Sequence, residues 1–179
     1  MTKRIFIAIN FPTQFLEKEL GKIKKELKGE PIKWVKRENI HLTILFIGTV
    51  PLKKIKLINE VIEKNIKILP SFRMELISLG SFSRVIWIGA KIDKADLEKF
   101  RKILKENLKK NFAIGEQRFV PHITIGRIKG KINRKKLDTL IKKYKNHYFG
   151  SVTINSVDVM ESKLKKEGVE YEVVRKYNL

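Results

Sequence analysis

The tetrapeptides His41-Leu42-Thr43-Ile44 and His122-Ile123-Thr124-Ile125 stand 122 − 41 = 81 residues apart in a chain of 179 residues. The same offset carries Ile5-Phe6-Ile7-Ala8 onto Ile86-Trp87-Ile88-Gly89, Arg37 onto Arg118, and Leu79-Gly80-Ser81 onto Met160-Glu161-Ser162. Similarity at one offset predicts a duplicated unit of strand, helix, strand, helix, strand, covering about 4–82 and again 85–163. Two copies are too few to stack as a solenoid. The chain is therefore expected to be one domain, 1–179, with two similar lobes facing each other across a pseudo-twofold axis.

Apolar periodicity supplies the elements. Strands are expected at Arg4–Asn10, Ile40–Ile47, Phe72–Phe82, Val85–Lys91, Val120–Ile128, Val152–Met160 and Glu170–Tyr177, with a turn near Ser83. Between them, Pro12 opens a helix with Leu16, Leu20, Ile23 and Leu27 on one face, closed by Gly29. Pro51 starts a second with Leu52, Ile55, Ile58 and Ile62. Asp93 is the expected N-cap of a third that buries Leu97, Phe100, Leu104 and Leu108, and Asn133 caps a fourth running through Tyr144. The expected class is α/β, more closely α+β: antiparallel sheet in each lobe, flanking helices, and a central cleft.

The chain holds 40 Lys+Arg against 19 Asp+Glu, a formal net charge of +21. A Lys/Glu-rich surface of the thermophile kind would leave the charges near balance, whereas a two-to-one excess of bases suits a polyanionic partner. With no Cys there are no disulfides, thiolate metal sites or cysteine nucleophiles. No apolar run approaches the roughly 18 residues of a membrane span, and Met1–Asn10 is too short for a secretory signal. The expectation is a cytoplasmic, monomeric protein.

On a strand, residues two apart share a face. His41 and Thr43 then point one way, Leu42 and Ile44 the other, and His122 with Thr124 repeats the arrangement. A twofold relation brings two imidazoles and two hydroxyls into one cleft. One imidazole can accept a proton while the other donates one, and threonine hydroxyls can donate to non-bridging phosphate oxygens. That set fits in-line displacement at phosphorus. No third His or Cys occupies a repeat position and Thr is a poor ligand, so neither metal nor cofactor is expected. His147 lacks the pattern and is read as a surface residue.

The stretches Trp34…His41-Leu42-Thr43-Ile44-Leu45-Phe46-Ile47-Gly48 and Pro121-His122-Ile123-Thr124-Ile125-Gly126-Arg127 resemble the two-histidine phosphoesterase superfamily. They are most similar to its RNA 2′,3′-cyclic phosphodiesterases, also called 2′-5′ RNA ligases (LigT-like). The resemblance spans the chain in length and element order. It implies a bilobal α/β fold and metal-free opening of an RNA 2′,3′-cyclic phosphate to a 2′-phosphate, with reversible 2′-5′ joining of RNA ends. The RNA partner would include tRNA fragments. Carried over by position, His41 is the proton donor to the leaving 3′-oxygen and His122 the proton acceptor that activates water. Thr43, Thr124 and Arg127 hold the phosphate, and Arg118 is a candidate contact to the RNA backbone.

Arg127 meets one objection. In an unbroken strand its parity puts it opposite His122 and Thr124, unless Gly126 permits a bulge. Competing readings are a non-catalytic basic RNA-binding module, and a phosphodiesterase for linear RNA 3′ ends or small cyclic phosphates. The lysine clusters at 53–56, 129–136 and 163–166 read mainly as solvated faces, and Trp34, Phe82, Phe119 and Phe149 as core packing.

Overall fold

The computed structural model describes residues 1–92, 94–116, 118–165 and 168–179; the expected cap Asp93 lies outside the described residues. Among the described residues the strands are β1 (Thr2–Ile9), β2 (Ile32–Trp34), β3 (Leu42–Pro51), β4 (Phe72–Phe82), β5 (Val85–Ile92), β6 (His122–Ile128), β7 (Tyr148–Ile154), β8 (Ser156–Lys165) and β9 (Gly168–Asn178). The helices are α1 (Glu17–Glu26), α2 (Ile55–Asn65), α3 (Lys94–Leu108) and α4 (Arg134–Lys143).

The helices follow their apolar stripes. Leu97, Phe100, Leu104 and Leu108 bury one face of α3, and Leu20 and Ile23 anchor α1. Asn133 caps α4, its side chain accepting from the Lys136 backbone N–H at 3.1 Å. Leu52 departs from expectation and is 41% exposed. It lies in a 3-10 turn, Leu52–Lys54, ahead of α2, and the tighter winding rotates it off the stripe that Ile58 and Ile62 bury. Pro12 likewise precedes a 3-10 turn, Gln14–Leu16, rather than α1 itself. Two strand expectations change. The run expected as one strand over Val152–Met160 breaks at Asn155, so that β7 pairs with β4 while β8 pairs with β1. The three-residue β2 is additional, too short for alternation to reveal.

All strands join one antiparallel sheet in the order β7-β4-β5-β6-β3-β1-β8-β9, with β2 on β6. The order is symmetric about its centre, where β3 and β6 share a single pair, Leu42↔Ile123. These two residues are repeat equivalents, since 123 − 42 = 81, so the pseudo-twofold axis runs between them. Beyond that pair the strands diverge and β2 lines β6 instead, from Ile32↔Ile128 to Trp34↔Gly126. The lobes are not the two halves of the sequence. First-half β4 lies between β7 and β5, and second-half β8 and β9 complete the sheet beside β1. The helices and the main apolar core occupy one face, and a small cluster of Phe6, Ala8 and Met160 lies apart from that core.

Ladder partners also correct the offset outside the central strands. Thr43 faces Ala8, whereas Thr124 faces Trp87, and 87 − 8 = 79. A slip of two residues leaves every side chain on its original face, so apolar alternation cannot distinguish 79 from 81. The third strands drift further: Gly80 faces Trp87 while Asp158 faces Ala8, giving 158 − 80 = 78.

Candidate active site

His41, Thr43, His122, Thr124 and Arg127 line one cavity of ≈ 350 Å³. Leu42 and Ile123, the residues between each His and Thr, are fully buried on the opposite side. Leu42↔Ile123 is the single pair that joins β3 to β6, so His41 and Thr43 flank the seam on one strand and His122 and Thr124 on the other. The two imidazoles line the same cleft, close enough for the charge of His122 to act on His41.

Arg127 reaches the cleft through a bulge. Thr124 faces Trp87 and Gly126 faces Ile86, which leaves Ile125 without a ladder partner. Ile125 and Gly126 both turn inward, and Arg127 regains the parity of Thr124. The first half carries the same device, because Thr43 faces Ala8 and Leu45 faces Ile7, with Ile44 extra. Each bulge frees a carbonyl. That of Ile125 accepts from the Val35 backbone N–H at 2.9 Å, and that of Ile44 accepts from Arg101 Nε at 2.9 Å. Arg127's equivalent, Phe46, also lines the cleft, with the Arg4 guanidinium 4.9 Å over its ring.

Both imidazoles are oriented alike. His41 Nδ1 donates to the Asn39 carbonyl at 2.8 Å, and His122 Nδ1 donates to the Val120 carbonyl at 2.7 Å. A carbonyl oxygen only accepts, so each neutral ring carries its proton on Nδ1 and keeps Nε2 for chemistry. Their aromatic surroundings differ. His41 is edge-on to Tyr171 at 4.9 Å and tilted on Phe6 at 5.0 Å, while His122 is edge-on to Phe82 at 5.1 Å. Burial holds the His41 imidazole below its ordinary 6.5; the charges of Arg127 and His122 lower it too, against the Asn39 carbonyl, which raises it. Trp87 stands 6.3 Å from His122 and lies across Gly80, where an added Cβ would come within 2.1 Å of the indole.

Of the other sequence candidates, Arg118 is exposed and is not among the residues lining the cleft, while its equivalent Arg37 pairs with Glu17 at 3.2 Å. His147 is half-buried rather than a surface residue. Its ring is edge-on to the stacked pair Tyr144 and Phe149, and Nε2 meets Glu19 at 3.2 Å. Arg4, Phe6, Asn39 and Tyr171 are cleft residues that sequence reasoning missed. Among the described residues no cluster of three or more His, Cys, Asp or Glu side chains is placed to hold a metal ion. No helix among them is long and apolar enough to cross a membrane.

A sequence model of the AKAP7 2′5′ RNA ligase-like domain matches residues 5–179 of this architecture. The chain belongs to the 2′-5′ RNA ligase-like family of two-histidine phosphoesterases. An RNA 2′,3′-cyclic phosphodiesterase of Methanocaldococcus jannaschii is 35% identical over 179 residues, covering 97% of this chain and 99% of that one. One of Aquifex aeolicus is 32% identical, covering 98% and 97%. Among solved structures, Escherichia coli LigT complexed with 3′-AMP superposes with a TM-score of 0.80 at 21% identity, covering 100% of this chain and 99% of that one. A Thermus thermophilus protein, TT0787, gives 0.80 at 22%, covering 98% and 97%. This two-histidine family member is thus an enzyme, a phosphoesterase, and its fold is that of LigT.

Proposed function

We propose that the chain hydrolyses RNA 2′,3′-cyclic phosphate ends to 2′-phosphates, with His41 and His122 as its acid–base pair. The observation that carries this is the pair of symmetry-related, carbonyl-anchored imidazoles lining one cleft. Both come from one chain, so a monomer holds a complete site. His122 Nε2 takes a proton from water as the water oxygen bonds to phosphorus. The P–O3′ bond breaks, and protonated His41 delivers its proton to O3′. Thr43 and Thr124 donate to the non-bridging oxygens, and Arg127 pairs with the phosphate charge. A 5′-hydroxyl in place of water gives the 2′-5′ ligation by the same proton transfers. Ends of cleaved tRNA are substrates of the right class.

Incubation with an oligonucleotide ending in a 2′,3′-cyclic phosphate tests the reading. The expected product gains the mass of one water and carries a 2′-phosphate by phosphorus NMR. A 3′-phosphate product, or RNA binding without turnover, defeats it.

The lowered His41 pKa sets a pH signature. The profile of kcat/KM follows the free enzyme. If His41 is the acid, activity declines as rising pH deprotonates it, and that limb lies below the ordinary imidazole value of about 6.5. The bound phosphate anion favours the protonated ring, so the same limb in kcat lies at higher pH. If His41 were the base, the lowered value would instead extend activity toward acid. Paired pH profiles of kcat/KM and kcat distinguish these outcomes.

A further inference from the structure

A second cavity, of ≈ 210 Å³, adjoins the cleft and shares Val35, Asn39, Arg127, Val169 and Tyr171 with it as a common wall. Its lining contains five cations (Lys33, Lys36, Arg127, Lys129 and Lys165) and no carboxylate. The surface cavities elsewhere differ: Glu19 and Glu26 line one, and Glu98, Glu106 and Glu116 another. Lys165 is paired with Glu170 at 2.5 Å, yet Lys36, Arg127 and Lys129 leave the cavity net positive where it runs on from the cleft.

The floor of the second cavity is apolar. Trp34 projects from β2, its ring against Gly126, where a Cβ would stand 3.1 Å from the indole. Leu164 and Val169 border it from the β8–β9 hairpin, 74% and 37% exposed. The hairpin is tied down beside His41, since Asn39 Nδ2 donates to the Val169 carbonyl at 3.2 Å. Apolar and aromatic surface framed by lysines is the composition that accepts a nucleobase and its phosphate.

We propose that this cavity is a subsite for the penultimate nucleotide of the RNA, making the enzyme selective for chains over mononucleotides. The inference rests on the cyclic-phosphate reading above. A cyclic phosphate closes the 3′ end of a chain, so the rest of the substrate leads only in the 5′ direction from the histidines. The adjoining cavity is where the track continues. There the base lies against Trp34 and Leu164, and the phosphate linking the last two nucleotides meets Lys36 and Lys129.

The test compares kcat/KM for a 2′,3′-cyclic mononucleotide with that for a dinucleotide bearing the same cyclic end. Wild type should favour the dinucleotide by about tenfold or more, the scale of one stacked base. The preference should shrink as salt is raised, because it includes a phosphate contact. In Lys36→Ala/Lys129→Ala, and separately in the exposed-site variant Leu164→Ser, the ratio of the two substrates should fall toward one. Equal use of both substrates by wild type overturns the subsite while leaving the cyclic-phosphate reading intact. So does a variant that keeps the wild-type ratio. Turnover of neither substrate removes the reading and the subsite with it.

Discussion

Replacing His122 by Ala is expected to lower kcat on a cyclic-phosphate end by about 10²–10⁴-fold, the usual contribution of a positioned acid or base. His41→Ala should fall in the same range. The KM for RNA should change little, because the residues proposed to hold the phosphate, Thr43, Thr124 and Arg127, remain in the cleft. The double variant should be scarcely worse than either single one, since proton transfer on one side of phosphorus is of little use without the other. Both rings border the cleft and neither belongs to the apolar core. Thermal midpoints near wild type should therefore accompany the loss, separating catalysis from folding. Retention of activity within a fewfold in both single variants would defeat the acid–base assignment.

Arg101 should matter nearly as much although it does not line the cleft. It rises from α3, donates through Nε to the carbonyl freed by the Ile44 bulge, and stacks its guanidinium 5.0 Å over Phe119. Ile44 follows Thr43, and Phe119 precedes Val120, whose carbonyl orients His122. One side chain thus braces both half-sites. Arg101→Met keeps the length and the apolar contact but leaves the Ile44 carbonyl without its donor, at a cost of about 1–3 kcal/mol. A lower denaturation midpoint at unchanged m-value should report that cost. A displacement near 1 Å can lower turnover by about 10²-fold, so kcat should fall well beyond what the stability change explains. Wild-type stability together with wild-type kcat would show that Arg101 does not position the site.

The sequence made faces legible and left neighbours hidden. Leu97, Phe100, Leu104 and Leu108 repeat at helical spacing, and Asn133 opens a helix with its own side chain; both signals are local. The His-x-Thr parity was equally local, and Gly126 marked the bulge that turns Arg127 toward the cleft. Strand pairing is not local. Nothing in Val152–Met160 announces that Asn155 redirects the chain from β4 to β1. Arg4 and Tyr171 join the cleft only because β1 and β9 flank β8. The repeat fixed the centre of symmetry at Leu42 and Ile123 but misjudged the strands beside it: β5 is offset from β1 by two residues fewer, a slip that preserves every face, and β8 from β4 by three fewer.

The exchange of β4 and β8 between lobes bears on how the molecule is made. A backbone nick at the Ser83–Arg84 turn leaves two fragments, neither of which holds a complete sheet, so they regain order only by complementing each other. Pairings such as Ile5 with Glu161 span 161 − 5 = 156 residues, which gives the topology a high contact order and slow folding for its size. The β8–β9 hairpin supplies one wall of the cleft through Ser162, Val169 and Tyr171. The cleft is therefore whole only once β8 has paired with β1.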